Sequence, residues 1–253
     1  MERSIRVQAL VLHHTNYGEA DRFLRLLTAE RGKISALARG VRRMNSRKAG
    51  HLEPFTLISA QLSKGHGSEW IVDQVSTMEA FPSMTEVLSR TIQGSYVTEL
   101  ADRFTVEEIE NRQLFRLTLE TIRRIASMDD SFPAIRFFDL RLLDLTGYRP
   151  QLQQCVVCGK SLEPVNQYFS SIFGGIVCPS CSGSQTFLRT ISVRTLKFLR
   201  YYQNHNFPDA AAAGWPQDIR KESEDILTQY IAFMLERKIN SQEFLSHVRD
   251  EKD

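Results

Sequence analysis

The chain contains four cysteines, which fall in two pairs, Cys155-Val-Val-Cys158 and Cys178-Pro-Ser-Cys181, with nineteen residues between the pairs. A Cys-x-x-Cys turn lets two thiolates converge on one cation. Two such turns brought together by a hairpin complete a tetrahedral sulfur site, which selects zinc. The stretch 168–177, with Gly174-Gly175 at its tip, supplies the hairpin. Two disulfides or a redox pair are the alternative chemistry, and a reducing compartment disfavours stable disulfides. Four thiolate ligands leave no open coordination position, so one Zn2+ here is structural. It contributes folding free energy on the order of 10 kcal/mol.

The second feature is electrostatic. The formal net charge is only +2, yet residues 31–48 hold seven Lys or Arg and no Asp or Glu, and removing those seven charges leaves −5 for the rest. One local cationic segment on a mildly acidic body is the footprint expected of a polyanion site. Lys33, Arg39, Arg42, Arg43, Arg47 and Lys48 are the candidate contacts. A solvated loop that only maintains solubility is the competing interpretation. About five phosphate contacts on a single strand predict a log-log salt slope of roughly −3.5. Tyr17, Phe23, Phe55 and Trp70 are candidate base-stacking platforms, each with a core role as the competing assignment.

No catalytic constellation accompanies these features. The sequence has no Gly-x-x-x-x-Gly-Lys-Ser/Thr loop, no His-Glu-x-x-His and no Gly-x-Ser-x-Gly elbow. Its six histidines are scattered; His13-His14 close an apolar strand and His66 lies in a Gly-rich turn. The acidic pairs Glu107-Glu108 and Asp129-Asp130 fall near expected helix ends, where dipole and solvation account for them. A non-enzymatic binding protein is therefore expected.

The elements that must position these residues are short strands, then helices. Ile5, Val7, Ala9 and Val11 alternate with polar residues, the period of two of a half-buried strand. Further strands are expected at 22–28, 33–39, 55–62 and 69–78. Five strands in so short a stretch suit a small closed barrel, first of all an OB-type one, with an SH3-like barrel as the other topology. Helical periodicity begins near Pro82. The capping-box patterns Ser83-Met-Thr-Glu86 and Thr105-Val-Glu-Glu108 precede apolar stripes through Ile92, Tyr96, Leu100 and Phe104, and through Phe115, Leu119, Ile122 and Ala126. A helix over 133–145 ends at Gly147, helical patterning resumes over 194–203, and Ile226, Tyr230 and Phe233 mark a long C-terminal helix. Residues 209–216 are expected to form a loop despite their four alanines, and the helices are expected to share one core.

The fold class expected is thus α+β and multidomain: an OB-type five-stranded β-barrel over 1–80, then an α-helical domain over 81–253 with a zinc-binding insert at 150–185. Apolar residues make up 42% and charged residues 25%, an ordinary composition for a folded, soluble protein. The first residues show no apolar run with a small-residue cleavage site, and no run approaches the ~20 apolar residues of a membrane helix. A cytoplasmic location and no membrane partner are expected.

The order of motifs resembles the RecO family. The residues that carry the resemblance are Tyr17-Gly-Glu-Ala-Asp21, Leu27-Thr-Ala-Glu-Arg-Gly-Lys-Ile34, Ala38-Arg-Gly-Val-Arg-Arg43, Ser46-Arg47 and Leu52-Glu-Pro-Phe55. The later helical region with its four-cysteine insert resembles that family too. The resemblance implies a bacterial, nucleoid-associated repair and recombination mediator of the RecF pathway. Such a protein binds single- and double-stranded DNA, anneals complementary strands, and helps load RecA with RecR and the C-terminal tail of single-strand-binding protein. It implies DNA contacts at Arg39, Arg42, Arg43, Arg47 and Lys48, and zinc ligands at the four cysteines. Lys48 departs from the family pattern, which has an apolar or aromatic residue there. Two other classes are compatible with the same residues: a zinc-ribbon RNA-binding or transcription-associated factor, and a metal hydrolase.

Overall fold

The computed structural model describes residues 3–65 and 69–236, so His66 lies outside the described residues. The chain forms two compact units, which divide between Asp129 and Asp130.

In the first unit, β1 (Ser4–Tyr17), β2 (Asp21–Thr28), β3 (Gly32–Ala38), β4 (Leu57–Lys64) and β5 (Trp70–Glu79) close into a barrel of order β1-β2-β3-β5-β4. The β3–β5 pairing is parallel and spans only Ala36↔Trp70 and Leu37↔Ile71. This closure is that of the OB-type barrel and decides against the SH3-like alternative. Alternation places Val7, Ala9, Leu24, Leu26, Ile34 and Ile58 in the interior. A slip of one residue in register would turn that set outward, so burial pins the register. Leu10 and Leu12 are also buried although they are not part of the interior set, because α2 (Leu88–Arg103) packs over β1.

Gly32 opens β3 with φ +65, and a Cβ built there would lie 1.8 Å from the Ile109 carbonyl oxygen. Gly32→Ala is therefore expected to cost more than about 2 kcal/mol, since it adds a steric overlap to a left-handed backbone. The readout is a lower denaturation midpoint at unchanged m-value.

Neither capping box forms. Pro82 occupies the N-cap of the one-turn α1 (Ser83–Glu86), and the Ser83 hydroxyl donates to the Ala126 carbonyl at 3.0 Å. Extended backbone at Val87 then separates α1 from α2. The Thr105 hydroxyl donates to Ala101 O at 2.6 Å, and α3 (Arg112–Ser127) begins instead after Asn111, whose side chain accepts from Leu114 N at 3.0 Å. In both patterns the hydroxyl is turned toward a carbonyl and away from the first free amides of a helix, so the cap geometry is not met.

The second unit is built on α4 (Phe132–Leu145), against which α6 (Val193–Asn204), α7 (Phe207–Ala212) and α8 (Gln217–Leu235) pack. Gly147 ends the α4 segment in the left-handed conformation, as its sequence indicates. Because α1–α3 belong to the barrel unit and α4 and α6–α8 to the second, the helices do not share one core. Residues 209–216 are not all loop: α7 takes in Ala210–Ala212, capped by Asn206 accepting from Asp209 N at 3.0 Å. Alanine's helix propensity prevails once that cap is in place. A three-stranded sheet of order β7-β6-β8 completes the unit, from β6 (Gln167–Ser170), β7 (Gly175–Val177) and β8 (Leu188–Ile191). β8 is a four-residue strand set by its pairing with β6, and no local pattern announces it.

Candidate nucleic-acid interface and metal centre

The hairpin β6–β7 holds the cysteines as the spacing predicts. After α4 the chain returns along β7, with Gln151 N donating to Gly174 O at 2.9 Å and Ile176 N to Gln151 O at 2.9 Å. Only glycine fits at 175, where a Cβ would approach Gln151 O to 2.5 Å. The first pair forms a tight turn in which Gly159, at φ +70, donates to Cys155 O at 2.9 Å. The second pair begins at Cys178, ahead of the single turn α5 (Pro179–Ser182), and Cys181 N donates to Cys178 O at 3.0 Å.

All four sulfurs lie within 4.8 Å of one another, and Cys158 Sγ is 3.9 Å from Cys178 Sγ. Ligands at about 2.3 Å from a tetrahedral centre are about 3.8 Å apart, so the donor set fits one thiophilic cation. Cys178 N also points at Cys155 Sγ from 3.4 Å. Burial raises the Cys155 pKa, but amide donors from Cys158, Cys178 and Val157 outweigh it and bring the value to about 6. Hydrogen bonding to Cys178 and Cys158 pushes Cys181 the other way, to about 12. Four thiolates this close need a cation between them, as a metal site requires.

The basic loop after β3 sits on the barrel rim next to the β1–β2 turn. Gly40 N donates to Asp21 Oδ1 at 2.7 Å, Arg42 N to Ala20 O at 2.8 Å, and the Arg42 guanidinium to Gly18 O at 3.1 Å. Two further turns, Arg43 N to Gly40 O at 3.2 Å and Ser46 N to Arg43 O at 2.9 Å, keep the loop compact. Arg39, Arg42, Arg43 and Arg47 are exposed, and none of them is in an ion pair with a described residue. The rim also carries Tyr17, 54% exposed and packed edge-on against Phe23 at 4.8 Å. Phe55 and Trp70 are core residues, each 4% exposed.

Two lysines do not join this rim. Lys33 Nζ is held by Asp102, 2.7 Å from its carbonyl and 3.2 Å from its carboxylate, with the side chain 13% exposed. Lys48 Nζ donates to Val72 O at 2.6 Å. Burial works against ionisation of Asp102, but His13 and Lys33 prevail and hold its carboxyl below the usual range.

Sequence reasoning missed the carboxylates that grip the barrel. Glu107 and Glu108 do not serve a helix end. Glu107 Oε1 accepts from Ser35 N at 2.9 Å and from the Arg25 guanidinium at 3.4 Å. Glu108 Oε1 accepts from Trp70 Nε1 at 2.7 Å and Lys64 Nζ at 3.2 Å. The Trp70 bond above all keeps the Glu108 carboxyl ionised below its usual range. Ser35 and Glu107 are 72 residues apart, so no local pattern announces the contact.

A closed OB-type barrel whose rim arginines form no ion pair with a described residue, followed by helices and a four-cysteine cluster, defines the class of the protein. Residues 1–81 match the family model described as recombination protein O N terminal, and residues 86–243 match recombination protein O C terminal. The DNA repair protein RecO of Roseiflexus sp. (strain RS-1) is 35% identical over 248 residues, covering 98% of this chain and 87% of that protein. Its counterpart in Dehalococcoides mccartyi (strain ATCC BAA-2266 / KCTC 15142 / 195) is 33% identical over 233 residues, covering 92% and 91%. The chain belongs to the RecO family of DNA repair and recombination proteins. Among the described residues no helix is long and apolar enough to cross a membrane.

Proposed function

We propose that the protein binds single- and double-stranded DNA on its arginine rim and anneals complementary strands without bond chemistry. The observation that carries this reading is the set of four exposed arginines, unpaired among the described residues and tied to one end of the barrel. Arg39, Arg42, Arg43 and Arg47 neutralise phosphates of two strands, which lowers the repulsion that opposes pairing. Tyr17, braced by Phe23, offers one stacking surface for an unpaired base. Lys33 and Lys48 are engaged by Asp102 and Val72 O and hold the barrel together in this reading.

Residues 1–80 act in this reading as the DNA-binding domain and 81–253 as the partner-binding domain. The partners are RecR and the C-terminal tail of single-strand-binding protein, with loading of RecA as the outcome, in the bacterial cytoplasm. Cys155, Cys158, Cys178 and Cys181 hold one structural Zn2+, which supplies folding free energy and leaves no open position for a substrate.

The test is annealing of complementary oligonucleotides already coated with single-strand-binding protein. Acceleration by the wild-type protein is expected. Four phosphate contacts on a single strand predict a log-log salt slope of about −3. Retention indifferent to salt, or preference for RNA over DNA in the same titration, overturns the reading.

A further inference from the structure

A second cationic face of the barrel is already occupied, by the chain itself. Beyond its short contact with β5, the edge of β3 is open, and residues 105–110 cross it. Glu108 N donates to Lys33 O at 2.8 Å, and the two carboxylates take Ser35 N, Arg25, Trp70 and Lys64 as donors. A backbone N–H beside a guanidinium or ammonium is the donor set that binds a phosphate oxygen.

Three properties mark this segment as loosely held. Its large apolar side chains, Val106 and Ile109, are 65% and 58% exposed, so neither anchors it in the core. Glu108 sits at φ +58, a strained conformation for a residue with a Cβ. Its carboxylate ties are partly exposed, with Arg25 and Glu107 side chains 37% and 48% accessible, and such pairs contribute little. Low-stability segments of this kind are the ones that open locally.

We infer that residues 105–110 form a displaceable acidic strap, in which Glu107 and Glu108 occupy the phosphate positions of a second DNA strand on a face made by Arg25, Lys64 and Ser35 N. The inference rests on the DNA-binding reading above. A strand arriving there exchanges anion for anion. It prevails through the number of its phosphates, and both strands then lie on one barrel.

The indole of Trp70 reports on the strap, because Glu108 bonds its Nε1 and Lys64 Nζ lies 4.2 Å from its ring centroid. The chain has two tryptophans, so Trp215→Phe leaves Trp70 alone; Trp215 packs on Phe132, Phe198 and Tyr202 in the other unit. In full-length protein, a saturating single-stranded oligonucleotide is expected to change Trp70 emission. In the otherwise wild-type chain, Glu107→Gln/Glu108→Gln is expected to bind the oligonucleotide about fivefold more tightly than Glu86→Gln/Asp129→Asn, the scale of two partly exposed ion pairs no longer competing. The second variant removes the same charge at exposed positions off this face. Retained oligonucleotide with unchanged Trp70 emission overturns the strap, as does equal affinity of the two double variants. No retention by the wild-type protein overturns the DNA-binding reading itself.

Discussion

Reversing Arg42 and Arg43 together, as Arg42→Glu/Arg43→Glu, is expected to abolish strand annealing and to weaken single-strand affinity on the order of a hundredfold at moderate salt. The change deletes two phosphate contacts and plants two repelling charges on a rim whose arginines form no ion pair with a described residue. The log-log salt slope should flatten by about 1.4, at about −0.7 per lost contact. Thermal stability should change little, because surface substitutions typically cost within about 0.5 kcal/mol. Arg42 also donates to Gly18 O at 3.1 Å, a bond worth about 0.5–1.5 kcal/mol. The parallel variant Arg39→Glu/Arg47→Glu, which gives up no such bond, separates charge from loop stability. Normal annealing by both variants would place DNA elsewhere on the molecule.

The other large effect concerns the sulfur site. Stripping the metal with a chelator, or replacing Cys155 with Ser, is expected to unfold the insert over 150–185. A four-thiolate zinc site supplies on the order of 10 kcal/mol, comparable to the whole stability of a domain. Cys155 is the sensitive position because it alone of the four is buried, and it receives the Cys178 amide at 3.4 Å. The hydrogen-bonded return of 151–156 along β7 depends on both turns being closed. The barrel unit has its own core, so its thermal transition should persist while that of the second unit moves down. Metal analysis should find one zinc per chain, and the four thiols should react with a thiol reagent only after chelation. Unchanged calorimetry in the chelated protein would return the cysteines to the disulfide or redox alternatives.

The strands were legible because each carries its own pattern. Alternation from Ile5 to Val11 states which face is buried, and burial states the register. The cysteine centre was equally legible, because both halves of the site are local turns that need only one hairpin between them. The long helical stripes were found as well, but their boundaries were not. Ser83 and Thr105 look like caps in one dimension, yet in the fold their hydroxyls turn to the carbonyls of Ala126 and Ala101. Local propensity cannot rank two partners when one of them is forty residues away.

From the amino-acid order alone came the barrel, the helices that follow it, the four-thiolate site and a cationic segment between residues 31 and 48. These are properties of periodicity, spacing and charge over short stretches, where neighbours in sequence are neighbours in space. Tertiary structure alone decided which cations remain available. Six of the segment's cations are candidates by sequence, but Asp102 engages Lys33, Val72 O engages Lys48, and four arginines stay exposed on the rim. It also decided that Glu107 and Glu108 lie across β3, since a carboxylate's partner is set by through-space proximity and not by chain position.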